Sequence, residues 1–278
     1  MVKLNEILFN DIIQLIRNKN IEYINESSIT SLINGILYSF GWNVFDPYEV
    51  APQYSVQQSD SLYNQYVDLA VKLYGFRKIF IEIKDTKKGK NLKRHEKQLE
   101  GYLYRTPDVK TGILTNAESW RFYNSIKDEN NQIRIDLEDK INVIKDKDSD
   151  IENILSNYLS KERMVNEWYK TYKNILFSDN CHNSYKQFAI LKLKTMKDKR
   201  VLEPLKRAFN EEEDDITRRS ALDGIIELSE EKDLKPFLLQ VLNDDQPGIR
   251  KTAEIHLENL NKEQKIKIQS YKSKFGIN

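Results

Sequence analysis

The sequence predicts a two-part protein, an α/β domain over residues 1–150 followed by an array of paired helices over residues 151–278. Three observations carry this expectation. Two adjacent, largely apolar runs, 66–71 and 79–84, read as strands, and Tyr74-Gly75-Phe76 between them reads as a turn. Beyond residue 150 glycines are few, strand alternation stops and the apolar spacing becomes helical. Within that second half, segments recur at a constant offset of 32 residues.

Taken in order, residues 4–18 and 27–40 space their apolar side chains three and four apart, as amphipathic helices do. Residues 50–123 read as strands plus one helix, the helix over 92–104. Residues 128–150 are polar and charged around one short apolar stretch, 133–144, and are read as the junction. In the second half, 216–228 aligns with 248–260, Ala189 precedes Ala221 by the same 32 residues, and Leu202-Glu203-Pro204-Leu205 matches Leu234-Lys235-Pro236-Phe237. Acidic turns at 211–215 and 243–245 precede the first helix of each later copy, where negative charge favours a helix start. The pattern resembles a short HEAT-type α-solenoid, about three helix pairs that bury their apolar faces only by stacking. A generic helical bundle is the alternative. Trp168, Tyr169, Tyr172 and Tyr185 are expected to pack this array against the first domain. Arg218, Arg219, Arg250 and Lys251 recur at equivalent helix starts, either as a basic edge or, favoured by the many nearby acids, as partners of the neighbouring repeat.

Composition narrows the function classes. The 278 residues are 39% hydrophobic and 31% charged, the balance of a soluble protein, with a net charge of +1. No apolar run is long enough for a membrane span, and Met1-Val2-Lys3-Leu4-Asn5-Glu6 does not read as a secretory leader. The single cysteine, Cys181, excludes an intrachain disulfide framework and fits a reducing cytoplasm, which is the expected location. Cys181-His182 lacks a second ligand pair for zinc and is read as loop, while His95 and His256 stand alone. No G-x-x-x-x-G-K-[ST] motif appears, so this polypeptide carries no nucleotide-driven motor of that type.

The chemistry concentrates in the two strand-like runs. Alternation sets Ile79, Ile81 and Ile83 on one face and Phe80, Glu82 and Lys84 on the other. Asp68 lies 14 positions before Glu82, so antiparallel strands joined near Gly75 would bring the carboxylates about one strand spacing, ~5 Å, apart. An ionised Asp68 inside an apolar run is costly unless it is paired or holds a metal. Two carboxylates and an ammonium suit Mg²⁺, which takes oxygen ligands and commonly keeps several waters. E-x-K alone is a weak signal in a chain this rich in both residues, and an ordinary strand with an exposed Glu/Lys pair is the competing reading.

The surrounding order resembles a family. From Glu26 the likeness runs through Leu37-Tyr38-Ser39-Phe40-Gly41-Trp42-Asn43-Val44 and Asp46-Pro47-Tyr48-Glu49-Val50 to Val67-Asp68-Leu69-Ala70 and Ile81-Glu82-Ile83-Lys84. It continues through His95, Gln98-Leu99-Glu100-Gly101-Tyr102, Gly112-Ile113-Leu114-Thr115-Asn116 and Trp120-Arg121-Phe122-Tyr123. Over residues 22–123 the chain resembles the PD-(D/E)XK nuclease superfamily, and within it the N-terminal nuclease domain of type I restriction enzyme R subunits. The resemblance implies a restriction-endonuclease-like core, Asp68 and Glu82 as metal ligands, and Lys84 as the catalytic lysine. It further implies Glu26 as a supporting acid, Gln98 with Tyr102 as the Q-x-x-x-Y element, and Mg²⁺ as cofactor with Mn²⁺ able to substitute. Leu69 stands where the family usually has Tyr, and Gln53 where it often has Glu, which bears on substrate detail.

Charge points the same way. Between Lys72 and Lys97 there are ten Lys or Arg against three acids, although the chain as a whole is nearly neutral. Lys87, Lys88, Lys90, Lys93 and Arg94 are therefore candidate phosphate contacts; a solvated lysine-rich loop is the plainer alternative. The expected activity is Mg²⁺-dependent hydrolysis of phosphodiester bonds in DNA, with RNA a further candidate substrate. The restriction or antiphage setting rests on family analogy. The competing class is a non-catalytic nucleic-acid-binding or scaffold protein that keeps the nuclease fold while the helical repeats recruit a protein partner.

Overall fold

A computed structural model of the chain describes residues 5–18, 25–56, 65–86 and 88–274. It divides into two compact units, Met1–Asn166 and Glu167–Asn278. The first unit holds helices α1 (Glu6–Asn18) and α2 (Glu26–Ser39) and strands β1 (Val50–Val56), β2 (Gln65–Leu73) and β3 (Phe76–Ile83). Helix α3 (Glu96–Arg105), strands β4 (Thr111–Thr115), β5 (Ser119–Lys127) and β6 (Ile133–Asn142), helix α4 (Asp148–Leu159) and the start of α5 (Lys161–Leu176) follow. The six strands form one mixed sheet in sequence order. Only β3 and β4 run parallel, as the helical crossover α3 between them requires; every other neighbour is antiparallel.

Both faces of the sheet centre are covered. Ile79, Ile81 and Ile83 are buried on one face, and α2, with Ile29, Ile33, Ile36 and Leu37 buried, packs against β3. On the other face Phe80, Leu114 and Tyr123 form one cluster with Leu99, Tyr102 and Leu103 of α3. Gly112 permits that approach: a Cβ there would lie 2.7 Å from Leu103 Cδ1 and 3.2 Å from two Leu99 carbons. The β2–β3 connection turns at Tyr74 and Gly75, both left-handed (φ 53° and 81°), the arrangement of a two-residue hairpin loop.

Two boundaries differ from the sequence expectation. The stretch 133–144, expected within the junction, supplies strand β6, which pairs with β5 along its length. It is an edge strand whose apolar rhythm is broken by charged residues and by a register shift at Phe122/Tyr123, and charge on an edge strand discourages pairing with other chains. The first unit also continues past residue 150 to Asn166. Ile151, Leu155 and Leu159 of α4 are buried, Tyr158 stacks on Phe122 with centroids 4.4 Å apart, and Trp42 Nε1 donates to the Leu159 carbonyl at 2.7 Å.

The described part of the second unit is helical: the rest of α5, then α6 (Asn183–Lys194), α7 (Leu202–Glu211), α8 (Asp215–Leu228), α9 (Glu231–Val241) and α10 (Pro247–Lys274). Burial repeats at the sequence offset of 32. Ala189, Ala221 and Ala253 are buried on α6, α8 and α10, as are Leu193, Ile225 and Leu257. An ion pair repeats at the same interval: Lys186 Nζ lies 2.8 Å from Glu212 Oε2, and 32 residues on Arg218 Nη2 lies 2.5 Å from Asp244 Oδ2. Arg250, the next equivalent, donates to the Asp244 and Asp245 carbonyls, and Lys251 pairs with Glu254. Arg218 thus takes the second of the two roles expected for these cations, pairing with acids of the neighbouring repeat, whereas Arg250 and Lys251 bond within their own helix start. Trp168, Tyr172 and Phe188 form an edge-to-face chain inside this unit, while Tyr185 is exposed. No helix among the described residues is long and apolar enough to cross a membrane.

Candidate functional site

The sheet register builds the site. Leu69 pairs with Ile81, so the next step of the same antiparallel ladder sets Asp68 beside Glu82. Pro52↔Leu69 and Tyr54↔Val67 bracket the neighbouring position, setting Gln53 beside Asp68. Gln53, Asp68 and Glu82 thus form one row across β1, β2 and β3, on the face that α3 covers. Lys84 follows Glu82 just beyond β3, with its backbone N–H donating to the Thr115 carbonyl at 2.9 Å.

Each oxygen of the acid pair has a defined environment. Asp68 Oδ2 accepts from the Ile83 N–H at 2.7 Å, and Oδ1 accepts from Gln53 Nε2 at 3.2 Å. Glu82, only 2% exposed, accepts at Oε1 from Lys84 Nζ, while its Oε2 is buried with no hydrogen-bond partner. Burial, and then the Asp68 charge, push the Glu82 carboxyl up to about 7 against the pull of Lys84. Burial also raises Asp68, opposed by the Ile83 N–H and the Lys84 charge. Burial pulls the Lys84 ammonium down, but the Glu82 hydrogen bond and the surrounding acids outweigh it, so its proton is held more tightly than usual.

The remaining candidates fall into three groups. Glu26 is exposed in the first turn of α2, which Asn25 caps by accepting from the Ser28 N–H, and its charge acts on Asp68, Glu82 and Lys84 through space. Gln98 and Tyr102 meet each other: Gln98 Nε2 donates to Tyr102 Oη at 2.8 Å, and Tyr102 donates to the Tyr66 carbonyl at 2.9 Å. Their observed bonds therefore fix β2 two residues before Asp68. Of the basic group, Lys87 lies outside the described residues; Lys88 and Lys90 belong to a 3-10 stretch, Lys88–His95, and Lys93 and Arg94 are exposed on it. That stretch, kinked at Asn91, replaces the first turn of the helix expected from residue 92. Like charges at Lys93/Lys97 disfavour an α-helix until Glu96 opens one.

Gln53 has a role the sequence reading missed. Its φ of 46° is left-handed, uncommon for a residue other than glycine and costing about 1–3 kcal/mol, and in that conformation its amide bonds Asp68. Its departure from the family pattern is visible in the sequence, but its partner is visible only in the register.

The donor set suits a hard divalent cation. An ionised carboxylate oxygen buried without a partner is costly, and a metal beside Glu82 Oε2 and Asp68 would remove that cost. Mg²⁺ commonly contacts only one or two carboxylates and keeps several waters, a number of acid ligands that Asp68 and Glu82 can supply. Compared with known proteins, the chain matches no family model, no curated protein and no solved structure.

Proposed function

We propose that the first unit is a Mg²⁺-dependent nuclease that hydrolyses phosphodiester bonds in DNA. The observation that carries this reading is the Asp68–Glu82–Lys84 arrangement on one sheet face, with one Glu82 oxygen buried and unpartnered. It supports the resemblance to PD-(D/E)XK nucleases in residue type, order and juxtaposition.

Asp68 and Glu82 would hold the ion, which when bound supplies an activated water and charge neutralisation at the phosphoryl group. The chain's own residues do the rest. The Ile83 N–H and the Gln53 amide fix the Asp68 carboxylate from two sides. Lys84 keeps its proton beside Glu82, so it acts as a fixed cation and donor that orients an attacking water or a scissile phosphate oxygen. Tyr102 holds the β2 backbone through the Tyr66 carbonyl and Glu26 adds negative potential to the ion's surroundings. The second unit, with burial and ion pairs recurring every 32 residues, we read as a HEAT-type array that recruits a protein partner.

Purified protein incubated with supercoiled, linear and single-stranded DNA and with RNA, each in Mg²⁺, Mn²⁺ or chelator, tests the activity. Cleavage should require the metal, favour DNA, and fall at least a hundredfold in Asp68→Asn and in Glu82→Gln, on the order of the cost of losing a key charge-stabilising group. Cleavage that persists at wild-type rates in both variants would remove the site. A wild type that binds DNA but never cleaves it with either metal would favour the non-catalytic reading.

A further inference from the structure

The row that begins with the acid pair does not stop at β3. Glu82 pairs with Leu114, Leu114 with Arg121, and Arg121 with Lys140, so a single line crosses β3, β4, β5 and β6. Strand spacing puts the Arg121 backbone about 10 Å and the Lys140 backbone about 14 Å from that of Glu82. At that far end a cavity of about 360 Å³ is lined by Lys93, Arg121 and Lys140 together with polar Asn91, Ser119 and Asn142. We propose that Lys93, Arg121 and Lys140 seat a phosphate of a bound nucleic-acid strand. This rests on the reading that the first unit takes nucleic acid as substrate, and it adds a phosphate contact near β6, beyond the part of the sheet that α3 covers.

The three cations differ in what holds them. Arg121 is built in: its Nε donates to Tyr123 Oη at 2.8 Å and its Nη2 lies 2.6 Å from Glu96 Oε1. Tyr123 in turn donates to Glu96 at 2.8 Å, so the guanidinium is fixed from behind. Lys140 stands directly opposite Arg121 on the neighbouring strand, and like charges in that position destabilise a sheet unless an anion lies between them. Glu96 offsets one positive charge. Asp146 also lines the cavity, but its carboxylate accepts from the Asn142 N–H at 2.7 Å. Lys93 and Lys140 enter none of the ion pairs among the described residues, so their charge is available at the cavity mouth. A rigid donor flanked by two unpaired ammonium groups is a fit for a phosphate diester, where the guanidinium supplies direction and the lysines supply charge.

The test uses the full chain in chelator, so that no cleavage intervenes, and measures fluorescence anisotropy of labelled single-stranded and duplex oligonucleotides across a salt series. The double variant Lys93→Ser/Lys140→Ser removes two exposed side chains without touching the Arg121 network. Lys127→Ser/Lys147→Ser removes equal charge from exposed positions outside the cavity. Loss of the one seated phosphate should flatten the slope of log affinity against log salt by about 0.7 for single strands to about 0.9 for duplex and weaken binding roughly fivefold or more at ~0.1 M salt. The control variant should keep the wild-type slope. Wild-type slope and affinity in the cavity variant overturn the proposal and leave the nuclease reading standing. If adenosine monophosphate or inorganic phosphate binds the wild type, binding is lost in the cavity variant, and oligonucleotide affinity is unchanged, the seat takes a small anion and the proposal also fails. A flattened slope in a protein that never cleaves supports the seat and removes the nuclease; a wild type that binds no oligonucleotide removes both.

Discussion

At the scale of residues, the site depends on one carboxyl group whose protonation competes with metal binding. Glu82 titrates near 7 in the folded metal-free chain against 4.5 for an ordinary glutamate, so the folded state binds an extra proton between those values. The contribution runs against the folded state as pH rises: Glu82 destabilises the metal-free protein progressively from about pH 4.5 to 7, and a bound divalent ion reverses this by stabilising the carboxylate. Thermal unfolding should therefore show a Mg²⁺-induced rise that is small near about pH 5.5 and large near about pH 7.5, and Glu82→Gln should lose both the rise and its pH dependence. An equal Mg²⁺ effect at both pH values in the wild type would mean that the ion binds elsewhere. Asp68, Glu82 and Lys84 were legible in the sequence because strand alternation has a period of two and a charged residue among Val, Leu and Ile stands out. Gln53 was not, because a left-handed backbone at a residue other than glycine leaves no compositional trace, and its bond to Asp68 follows from the pairing of β1 with β2.

At the scale of elements, α3 connects the sheet core to the acid row. Tyr102 is buried among Phe80, Leu99 and Leu103, and its hydroxyl bonds the β2 backbone just before Asp68. Tyr102→Phe keeps the ring and deletes that bond, leaving the Tyr66 carbonyl short of a donor, at a cost of about 1–2 kcal/mol. Cleavage should fall about tenfold with metal affinity changed by less than threefold, because the hydroxyl orients the strand and no acid ligand is removed. A variant with full activity and an unchanged melting temperature would mean that the Tyr102 hydroxyl orients nothing and that only its buried ring contributes. The helix itself was legible from residue 96 onward, but its first turn was not, since apolar spacing alone continues the helix where like charges at Lys93 and Lys97 disfavour it and the chain forms a 3-10 stretch. Strand β6 was missed for a related reason: Arg134, Asp136, Glu138, Asp139 and Lys140 give an edge strand the composition of a linker.

At the scale of the whole molecule, two ledgers of interaction are separable, one for each compact unit. In the second, Arg218 pairs with Asp244 and Asp245 and donates from Nε to the Phe209 carbonyl, joining helices 32 residues apart in register. The Asp244 side chain is only 8% exposed, so Arg218→Ala leaves a nearly buried carboxylate without that cation, with the Gln246 N–H still donating to it, and should cost about 2–4 kcal/mol, read as a lower unfolding midpoint without loss of cleavage. In the first, the question is where an independent domain ends, and the structure answers differently from the composition. The polar run at 128–150 suggests a junction there, yet Ile151, Leu155 and Leu159 are fully buried beyond it, and Lys161 pairs with Glu49 at 2.6 Å. Burial of three such side chains is worth about 1.5–3 kcal/mol each, which together approaches the whole stability of a typical domain at about 5–15 kcal/mol. A chain ending at residue 150 should therefore fail to fold or melt far below the full protein, whereas one ending at Asn166 keeps α4, the Tyr158 stack and the Trp42–Leu159 bond and should unfold in one cooperative transition. If the repeats serve only to recruit a protein, that 166-residue chain should cleave DNA at the rate of the full protein with the same salt dependence. Cleavage and affinity falling together in a chain that still melts cooperatively would put the repeats on the DNA path, and equal melting of the 150- and 166-residue chains would show that α4 adds nothing to the first unit.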